Sequence, residues 1–255
     1  LEILNKNFNQ MIDKLKNQQE KLIINEKHEA WGSLARKMAH EIKNPLTPIQ
    51  LTIDRLKNKY SSQIIDKNNN DFQDNLKIIN NQIKQIEKLV NEFSDFARMP
   101  KPIFQRNDLV VLMKDNIRLL QQLDKTIKIN FTNNIQNIFF NSDKEQLSRV
   151  FFNLVKNSIE SIQQKAEKVS NFNKNITIEL NDLDSHINLI ITDNGIGFKN
   201  FNKDIKEILN PYFTTKQQGT GLGLSIVNKI INDHNGNIEF TSIEDGAIII
   251  IKFIK

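Results

Sequence analysis

The stretch Ile190-Ile-Thr-Asp-Asn-Gly-Ile-Gly-Phe198 decides the fold of the second half of the chain. Its apolar residues predict a buried strand that ends at Asp193, and its two glycines predict a sharp turn directly after that strand. Alternating patterns on either side predict further strands of the same kind. These predicted strands cover residues 127–131, 138–140, 176–180, 187–192, 238–241 and 247–253.

Helical patterns alternate with the predicted strands. Apolar residues recur at helical spacing over residues 109–123, 143–164 and 224–231, and Asp143 lies near the start of the second of these helices. Six of the eight glycines lie between Gly195 and Gly236, which predicts a flexible glycine-rich segment within this unit. We therefore expect an α+β sandwich, with helices on one face of a mixed sheet.

The first hundred residues are helical in pattern and contain no glycine except Gly32. We expect a coiled-coil helix over residues 1–29, a helix over residues 31–59 that is kinked at Pro45 and Pro48, a turn over residues 60–71, and a further helix from Phe72 to Ala97. The last two helices predict an antiparallel hairpin, which a second copy of the chain would complete to a four-helix bundle. Their apolar stripes are Ala35, Met38, Ile42, Ile49 and Leu56, then Phe72, Leu76, Ile79, Ile83, Ile86, Val90, Phe93 and Ala97.

The composition excludes several kinds of site. With no cysteine among the 255 residues, disulfides, thiolate zinc sites, iron–sulfur clusters and cysteine nucleophiles are ruled out. No apolar run approaches the roughly 18 residues that span a bilayer. The sequence begins without Met or a signal peptide, so we expect Leu1 to lie inside a longer natural chain. The formal charge of +5 comes without a basic block, and we expect no nucleic-acid partner.

The segment His40-Glu-Ile-Lys-Asn-Pro45 is the first candidate site. If the apolar stripe of its helix faces the bundle core, His40 lies on the outward face beside Glu41. A neighbouring carboxylate can accept the Nδ1 proton of a histidine and leave Nε2 free as a nucleophile. Taken alone, the pattern favours an ordinary surface histidine.

The segment Asn153-Leu-Val-Lys-Asn157 is the second candidate site. Asn153 and Asn157 are four residues apart and share a helix face, with Lys156 beside them. Carboxamide oxygens are hard, neutral ligands that can hold Mg²⁺ while nucleotide phosphates supply negative charge. In a chain this rich in asparagine, two surface asparagines at this spacing remain the alternative.

Two glycine-containing segments are the third and fourth candidates. Asp193 at a strand end can accept a hydrogen bond from the amino group of adenine, and Gly195 and Gly197 let the backbone approach a base, although Asp-Asn-Gly is equally typical of a turn. The run Gly219-Thr-Gly-Leu-Gly-Leu224 leads into a helical pattern, so its amides can cradle phosphates. It matches neither the Walker A loop nor the dinucleotide-binding fingerprint of a strand–turn–helix unit.

In this order, the four segments resemble the motifs of the sensor histidine kinases of two-component systems over essentially the whole chain. The segment around His40 resembles the phosphoacceptor box, and residues 29–50 and 93–102 are similar to nitrogen-regulation sensor kinases of the NtrY type. The remaining three segments resemble the N, G1 and G2 boxes, and they are Asn153 to Asn157, Asp193 to Gly197, and Gly219 to Gly223. A further segment, Tyr212 to Lys216, resembles the F box. One departure is Ser158, where the family usually has alanine, and because serine is nearly isosteric we expect no loss of activity.

The resemblance implies a role for each matching residue. His40 would be the phosphorylated nucleophile, Glu41 would orient or deprotonate it, and Asn44 would position the water that dephosphorylates the partner. Asn157 would bind Mg²⁺, supported by Asn153 and Lys156. The rest of the ATP site would be formed by the adenine-reading Asp193, by Gly195 and Gly197, by the mobile-lid residues Thr214, Thr215 and Lys216, and by the phosphate loop Gly219, Thr220, Gly221, Leu222 and Gly223.

The resemblance also implies the organisation of the protein. It predicts a signalling helix over residues 1–29, a dimerisation and histidine phosphotransfer domain over residues 30–99, and a catalytic ATP-binding domain of the Bergerat type over residues 103–255. The expected partners are a second copy of the chain and the receiver domain of a response regulator. We expect the chain to be the cytoplasmic portion of a bacterial inner-membrane protein, attached through a region before Leu1.

Three other functions are weighed against kinase activity. The same ATP-binding fold occurs in gyrase, mismatch-repair and chaperone ATPases, which resemble one another in a glutamate four residues before the metal-binding asparagine. Here that position is Asn153, which cannot take a proton at neutral pH, so hydrolysis by water is disfavoured. The others are an ATP-gated scaffold whose His40 is never phosphorylated and a protein that works mainly as a phosphatase of its partner. Because both Glu41 and Asn44 are present, we expect a bifunctional enzyme.

Overall fold

The computed structural model describes residues 11–12, 37–39, 41–60, 68–97, 99–169, 171–198, 205–211, 213–214 and 220–255. The chain divides into two compact units, Leu1–Pro100 and Lys101–Lys255. Apart from helical residues 11–12, the predicted coiled coil over residues 1–29 lies outside the described residues. No helix in the described parts of the chain is long and apolar enough to cross a membrane.

The first unit is a helical hairpin. Residues 41–60 form helix α1 and Asn68–Ala97 form helix α2. Leu46 and Ile53 of α1 form a buried cluster with Leu76 and Ile83 of α2. The predicted turn over residues 60–71 is too long, because Tyr60 is still helical and α2 already begins at Asn68. Both Pro45 and Pro48 lie within helical residues, and the kink expected there stays a prediction.

The apolar stripes of the hairpin divide into two sets. Within one chain, buried apolar residues recur at every seventh position, which selects Ala39 of the helical residues 37–39, Leu46 and Ile53 in α1, and Leu76, Ile83 and Val90 in α2. The described members of the stripe predicted for the first helix are exposed in one chain, and their place in the core of a dimeric bundle stays a prediction. The exposed apolar positions of the two predicted stripes are Met38, Ile42, Ile49 and Leu56, and Ile79 and Ile86. These residues form a second apolar face that one copy of the hairpin leaves in contact with solvent.

The second unit is the predicted two-layer sandwich of three helices and a mixed sheet. Strands β1 (Gln105–Asp108) and β3 (Phe139–Ser142) form a small antiparallel pair. The main sheet has the order β2-β4-β5-β7-β6, and only the pair β2–β4 is parallel. Its strands are β2 (Lys128–Asn133), β4 (Asn175–Asp182), β5 (His186–Asp193), β6 (Gly236–Ile243) and β7 (Gly246–Ile254).

The helices of this unit are α3 (Leu109–Leu120), α4 (Lys144–Ala166) and α5 (Gly223–Asp233), and a short 3₁₀ helix covers Ile205–Leu209. Every strand and helix predicted after residue 102 is found, with ends that shift by no more than three residues. Strand β1 and the 3₁₀ helix were not predicted, because a polar Gln-Arg-Asn-Asp strand carries no apolar alternation.

The core lies between α4 and the central strands. Phe151 and Leu154 of α4 are fully buried, as are Ile178 of β4 and its register partner Ile191 of β5. Because side chains alternate between the two faces of a strand, one face of β5 is buried along its whole length. That buried set is Ile187, Leu189, Ile191 and Asp193. The strand pattern therefore carries a carboxylate into the same apolar layer as three aliphatic side chains.

The start of α4 is fixed by Asp143, as predicted. Its Oδ1 accepts hydrogen bonds from the backbone N–H groups of Glu145 and Gln146, each at 3.0 Å, which satisfies amides that have no partner inside the helix. The backbone N–H of Asp143 also donates to Nε2 of His234, at 3.0 Å, and this histidine is the buried end of α5. These contacts tie the beginning of α4 to the end of α5.

Candidate functional site

The carboxylate of Asp193 is the centre of the candidate site. It lies at the end of β5 and is only 4% exposed. Its Oδ2 accepts a hydrogen bond from Ser158 Oγ at 3.0 Å, and its Oδ1 accepts one from the backbone N–H of Gly195 at 2.9 Å. Burial raises the pKa of Asp193 above its usual range, while the Gly195 amide, the Ser158 hydroxyl and the charge of Lys165 act to lower it.

One face of α4 holds the turn that follows β5. Besides Ser158, which contacts Asp193, the hydroxyl oxygen of Ser161 accepts a hydrogen bond from the backbone N–H of Ile196 at 3.0 Å. The ammonium of Lys165 donates to the carbonyl oxygen of Asn194 at 2.8 Å. The three α4 residues are spaced three and four apart and share a helix face. Sequence reasoning missed this face, since serine and lysine on a helix are ordinary surface residues.

The glycines of this region allow very close backbone contacts. A Cβ on Gly195 would lie 2.2 Å from Ser161 Oγ and 2.7 Å from the Ser161 carbonyl carbon. Gly197 has a φ of +61°, and a Cβ there would lie 2.3 Å from the carbonyl oxygen of Gly246. Gly246, with φ +125°, is itself pressed against the carbonyl oxygen of Asp193, to which a Cβ would come within 1.8 Å. Gly246 was not predicted as a site residue, because nothing in its local sequence reveals this approach.

The predicted metal and phosphate residues lie earlier on α4. Asn153 donates from Nδ2 to the carbonyl oxygen of Arg149 at 2.9 Å, and its Oδ1 lies 3.4 Å from where a Cβ on Gly223 would be. Lys156 and Asn157 lie on the next turn, and Lys156 pairs with Glu160 at 3.8 Å. The structure therefore brings Asn153 next to the glycine loop, one of the juxtapositions that the sequence analysis implies.

The glycine loop leads into α5. Thr220 Oγ1 accepts a hydrogen bond from the backbone N–H of Leu222 at 3.4 Å, and Gly221 has a φ of +68°, a conformation that favours glycine. Leu222 is the N-cap residue of α5 and is buried, and its side chain offers no acceptor to the first turn of the helix. The positive end of the α5 dipole therefore faces the loop without a side-chain cap.

Several predicted site residues lie outside the described part of the chain. These are His40, Thr215, Lys216 and Gly219. Thr214 is described and exposed, and its assignment to a mobile lid stays a prediction. Glu41 and Asn44 both lie on α1 and are exposed to solvent, three residues apart on the helix.

The donor set of α4 fits a magnesium ion. The carboxamide oxygens of Asn153 and Asn157 are neutral and hard, which suits Mg²⁺ when the remaining ligands are phosphate oxygens and water. Within the described ranges, no three His, Cys, Asp or Glu side chains are grouped so that they could hold a metal ion. A site built from Asn157 and a nucleotide is therefore a different kind of metal site from a protein carboxylate cluster.

The two ends of the site are a short distance apart along one helix. Ser158, which contacts Asp193, and Asn153, which lies at Gly223, are separated on α4 by about 7.5 Å of helix rise. A buried hydrogen-bond acceptor at one end and a helix N-terminus with a glycine loop at the other suit a ligand with a polar ring and an anionic tail. A nucleotide has this chemistry.

Two family models match the chain. The His Kinase A (phospho-acceptor) domain matches residues 30–102. The family described as Histidine kinase-, DNA gyrase B-, and HSP90-like ATPase matches residues 142–255. The description of the second family also covers ATPases of the water-hydrolysing kinds considered above. The match to the phospho-acceptor domain favours a kinase.

Relatives of known description match almost the whole chain. An NtrY-like protein of Rickettsia prowazekii is 40% identical over 247 residues, which are 96% of this chain and 40% of the relative. Nitrogen regulation protein NtrY of Azorhizobium caulinodans is 34% identical over 226 residues, which are 88% of this chain and 28% of the relative. The chain thus spans 40% or less of the length of these two relatives.

Solved structures of similar fold include the catalytic domain of the histidine kinase ThkA. It is 29% identical with a TM-score of 0.52, and the match covers 60% of this chain and 96% of that one. The crystal structure of ThkA in complex with the response regulator protein TrrA has a TM-score of 0.61 at 23% identity, and covers 94% of this chain and 66% of that chain. This second likeness is one of fold.

We predict that Gly195→Ala destabilises the second unit by about 1–3 kcal/mol, because the new Cβ would overlap both a side-chain and a backbone atom of α4. Denaturant unfolding of the wild type and the variant measures the difference in free energy. Gly223→Ala is the matched control, since its Cβ would meet only Asn153 at an ordinary contact distance, 3.4 Å. Equal losses of stability in the two variants would contradict the close packing described at Gly195.

Proposed function

The chain belongs to the sensor histidine kinases, and we propose that it takes the γ-phosphoryl group of ATP onto His40 and passes it to an aspartate of a response regulator. The observation that carries the proposal is the pair of contacts along α4, where Ser158 binds Asp193 and Asn153 meets Gly223. These contacts hold the carboxylate of Asp193 and the glycine loop before α5 against the same helix, which supports their proposed roles in reading the base and binding the phosphates. The phospho-acceptor domain that precedes them supplies the nucleophile.

In this proposal the nucleotide half of the reaction uses the second unit. Asp193 accepts a hydrogen bond from the amino group of adenine, while Gly195 and Gly197 shape the pocket around the ring. The amides of residues 220–223 and the N-terminus of α5 bind the phosphates, with Lys156 adding positive charge from α4. Thr214, Thr215, Lys216 and Gly219 are assigned to the lid and loop that cover the nucleotide. These assignments rest on the family motifs and on the contacts of the described residues.

The nucleophile half uses the first unit. The Nε2 lone pair of His40 attacks the γ-phosphorus in line with the bond to the β–γ bridging oxygen, that bond breaks, and ADP leaves with the electron pair. The Nδ1 proton of the imidazolium passes to Glu41 or is held by it, and a phosphoramidate remains on His40. The aspartate of the response regulator then attacks the same phosphorus and displaces the histidine.

Residue Asn157, with Asn153 beside it, would hold Mg²⁺ against the phosphates. When bound, the ion offsets negative charge on the β- and γ-phosphoryl oxygens. Asn153 also argues for transfer to histidine over hydrolysis by water. Its amide nitrogen donates to the Arg149 carbonyl oxygen, and a carboxamide cannot act as the general base that water attack needs.

The partner proteins follow from the first unit. The match to the phospho-acceptor domain and the exposed apolar face of the hairpin support a homodimer, in which a second copy covers Met38, Ile42, Ile49, Leu56, Ile79 and Ile86. A response regulator is proposed as acceptor because the family transfers phosphate to one, and the related kinase ThkA has been crystallised with the response regulator TrrA. Nucleic acid has no part in this proposal.

The same domain supports a phosphatase activity toward the response regulator. Asn44 is exposed on α1, four residues after His40 in sequence, where its carboxamide can orient a water molecule toward a phosphoaspartate. We place the functional boundaries at residues 30–99 for phosphotransfer and 103–255 for ATP binding, which the division after Pro100 supports. The signalling helix over residues 1–29, attachment to the inner membrane and the cytoplasmic location of this portion stay predictions.

We predict that the full chain incubated with γ-labelled ATP and Mg²⁺ becomes labelled through an acid-labile bond, and that His40→Gln abolishes the label because glutamine carries no nucleophilic lone pair. Autoradiography after acid treatment and after alkali treatment measures the label that the chain retains. His186→Gln is the matched control, since this histidine lies at the start of β5 and contacts Ser185. Label that persists in His40→Gln would refute the assignment, and a wild type that takes no label would favour the scaffold function.

We predict that Asn44→Ala slows dephosphorylation of the response regulator at least about tenfold, because the water loses its orienting group, while the labelling of His40 continues. The measurement is release of phosphate from a receiver domain that the wild-type chain has been shown to phosphorylate. Asn58→Ala, also exposed on α1, serves as the control. If removal of phosphate is as fast in Asn44→Ala as in Asn58→Ala, the role proposed for Asn44 is wrong.

We predict a homodimer of twice 29.7 kDa that Ile79→Glu converts to monomer, because a charge is placed in the apolar face between copies. Ile79 is 44% exposed in one chain and lies in the exposed stripe, whereas its neighbour Ile78 is 58% exposed and lies about 100° away around the helix. Ile78→Glu is therefore the control and should stay dimeric. Light scattering coupled to size-exclusion chromatography measures the molar mass of each variant. Two variants of equal mass would contradict the proposed interface.

A further inference from the structure

Ser158 departs from the residue that the family usually carries, and its side chain contacts Asp193, the centre of the site. Alanine usually follows the metal-binding asparagine, yet here the serine hydroxyl donates to Oδ2 of Asp193 at 3.0 Å. Both residues are buried, Ser158 at 2% exposure and Asp193 at 4%. A hydroxyl has a single proton, so this donation orients it toward the carboxylate.

Two neutral donors hold the carboxylate of Asp193, one on each oxygen. The Gly195 donor is a backbone N–H that remains whatever the side chains are, whereas the Ser158 donor is a side-chain hydroxyl that a single substitution removes. The neighbours of Asp193 on the adjacent strands are Ile176 and Ala247, which carry no charge. Among the described residues, the charged group that acts on Asp193 is Lys165 of α4, and its ammonium is engaged by the Asn194 carbonyl oxygen and by Asp245.

We propose that Ser158 is a positioning residue that keeps Asp193 a pure hydrogen-bond acceptor, and that it thereby makes the site select a purine with a 6-amino group over one with a 6-oxo group. The inference rests on the proposed function, in which Asp193 binds the base of ATP. An ionised carboxylate accepts hydrogen bonds only, which suits the donating amino group of adenine. A protonated carboxyl group also donates, and it can bind the 6-oxo group of hypoxanthine or guanine.

The burial and hydrogen bonds of Asp193 determine the direction in which its pKa changes when the Ser158 hydroxyl is removed. Burial raises the pKa of Asp193, and the hydrogen bond from Ser158 acts against burial because it stabilises the charged form. Removing the hydroxyl removes one of the interactions that lower the pKa of Asp193. The pKa therefore rises further, and the carboxyl group takes up a proton at a higher pH. Binding of adenine, which needs the ionised form, is then lost earlier as the pH falls.

The experiment compares ATP and inosine triphosphate, which differ at the 6 position, as ligands of the full chain with Mg²⁺. Calorimetric titration at several pH values from about 5.5 to about 8.5 gives the dissociation constants of both nucleotides as a function of pH. For Ser158→Ala we expect ATP binding to weaken about tenfold at the acid end and less at the alkaline end. We also expect the preference for ATP over inosine triphosphate to fall by a similar factor at the acid end.

The matched control is Ser142→Ala. Ser142 is also fully buried, but it lies at the end of β3, where its hydroxyl contacts Asn107 and the Phe140 carbonyl oxygen. We expect this variant to bind both nucleotides with the wild-type pH dependence. Ser158→Cys is the second test variant, because a thiol donates weakly, and its pH profile should lie between those of serine and alanine.

The outcomes separate this inference from the function on which it rests. If Ser158→Ala and Ser142→Ala keep the same pH profile and the same ratio of ATP to inosine triphosphate affinity, the role of Ser158 is overturned while ATP binding stands. If the wild type binds ATP and Asp193→Asn does not weaken it, the assignment of Asp193 and this inference are both wrong. A wild type that binds neither nucleotide would overturn the proposed function.

Discussion

A carboxylate held inside an apolar layer is the constraint around which the second unit is built. Asp193 is buried because it continues the inward-facing side of a central strand, and a buried charge is costly unless hydrogen bonds compensate it. The compensation comes from Gly195, which turns its amide back onto the carboxylate, and from Ser158 of the packed helix. Strand, turn and helix must therefore meet at one point.

Helix α4 connects that point to the rest of the site. Its capped start at Asp143 is fixed against the end of α5 through His234, and its later turns carry Asn153 beside Gly223 and Ser158 beside Asp193. A single helix thus sets the spacing between the two parts of the site that we propose to bind the base and the phosphates. Gly246 at the start of β7 contributes as well, since any side chain there would displace the end of β5.

The helical hairpin of the first unit is built on a repeating pattern of apolar residues. A seven-residue repeat on each helix yields two apolar faces, and one chain buries only the face that contains Leu46 and Ile83. The other face, with Ile49 and Ile79, remains exposed and is what a second copy of the chain would cover. The phosphorylated residue of the proposed reaction would then stand on a dimeric bundle, and the nucleotide would bind a separate unit of each chain.

The sequence by itself determined most of the elements, because hydrophobic period and capping are local. The strand ending at Asp193, the helix starting after Asp143 and the helical period of the hairpin all follow from short windows. It also placed the candidate motifs in order. Only the tertiary structure decided which stripe residues are buried within one chain, and that Ser158 and Gly246 belong to the site with Asp193. Those contacts join residues 35 and 53 positions apart in sequence, and the close approach of two backbones leaves no mark on the local pattern of either.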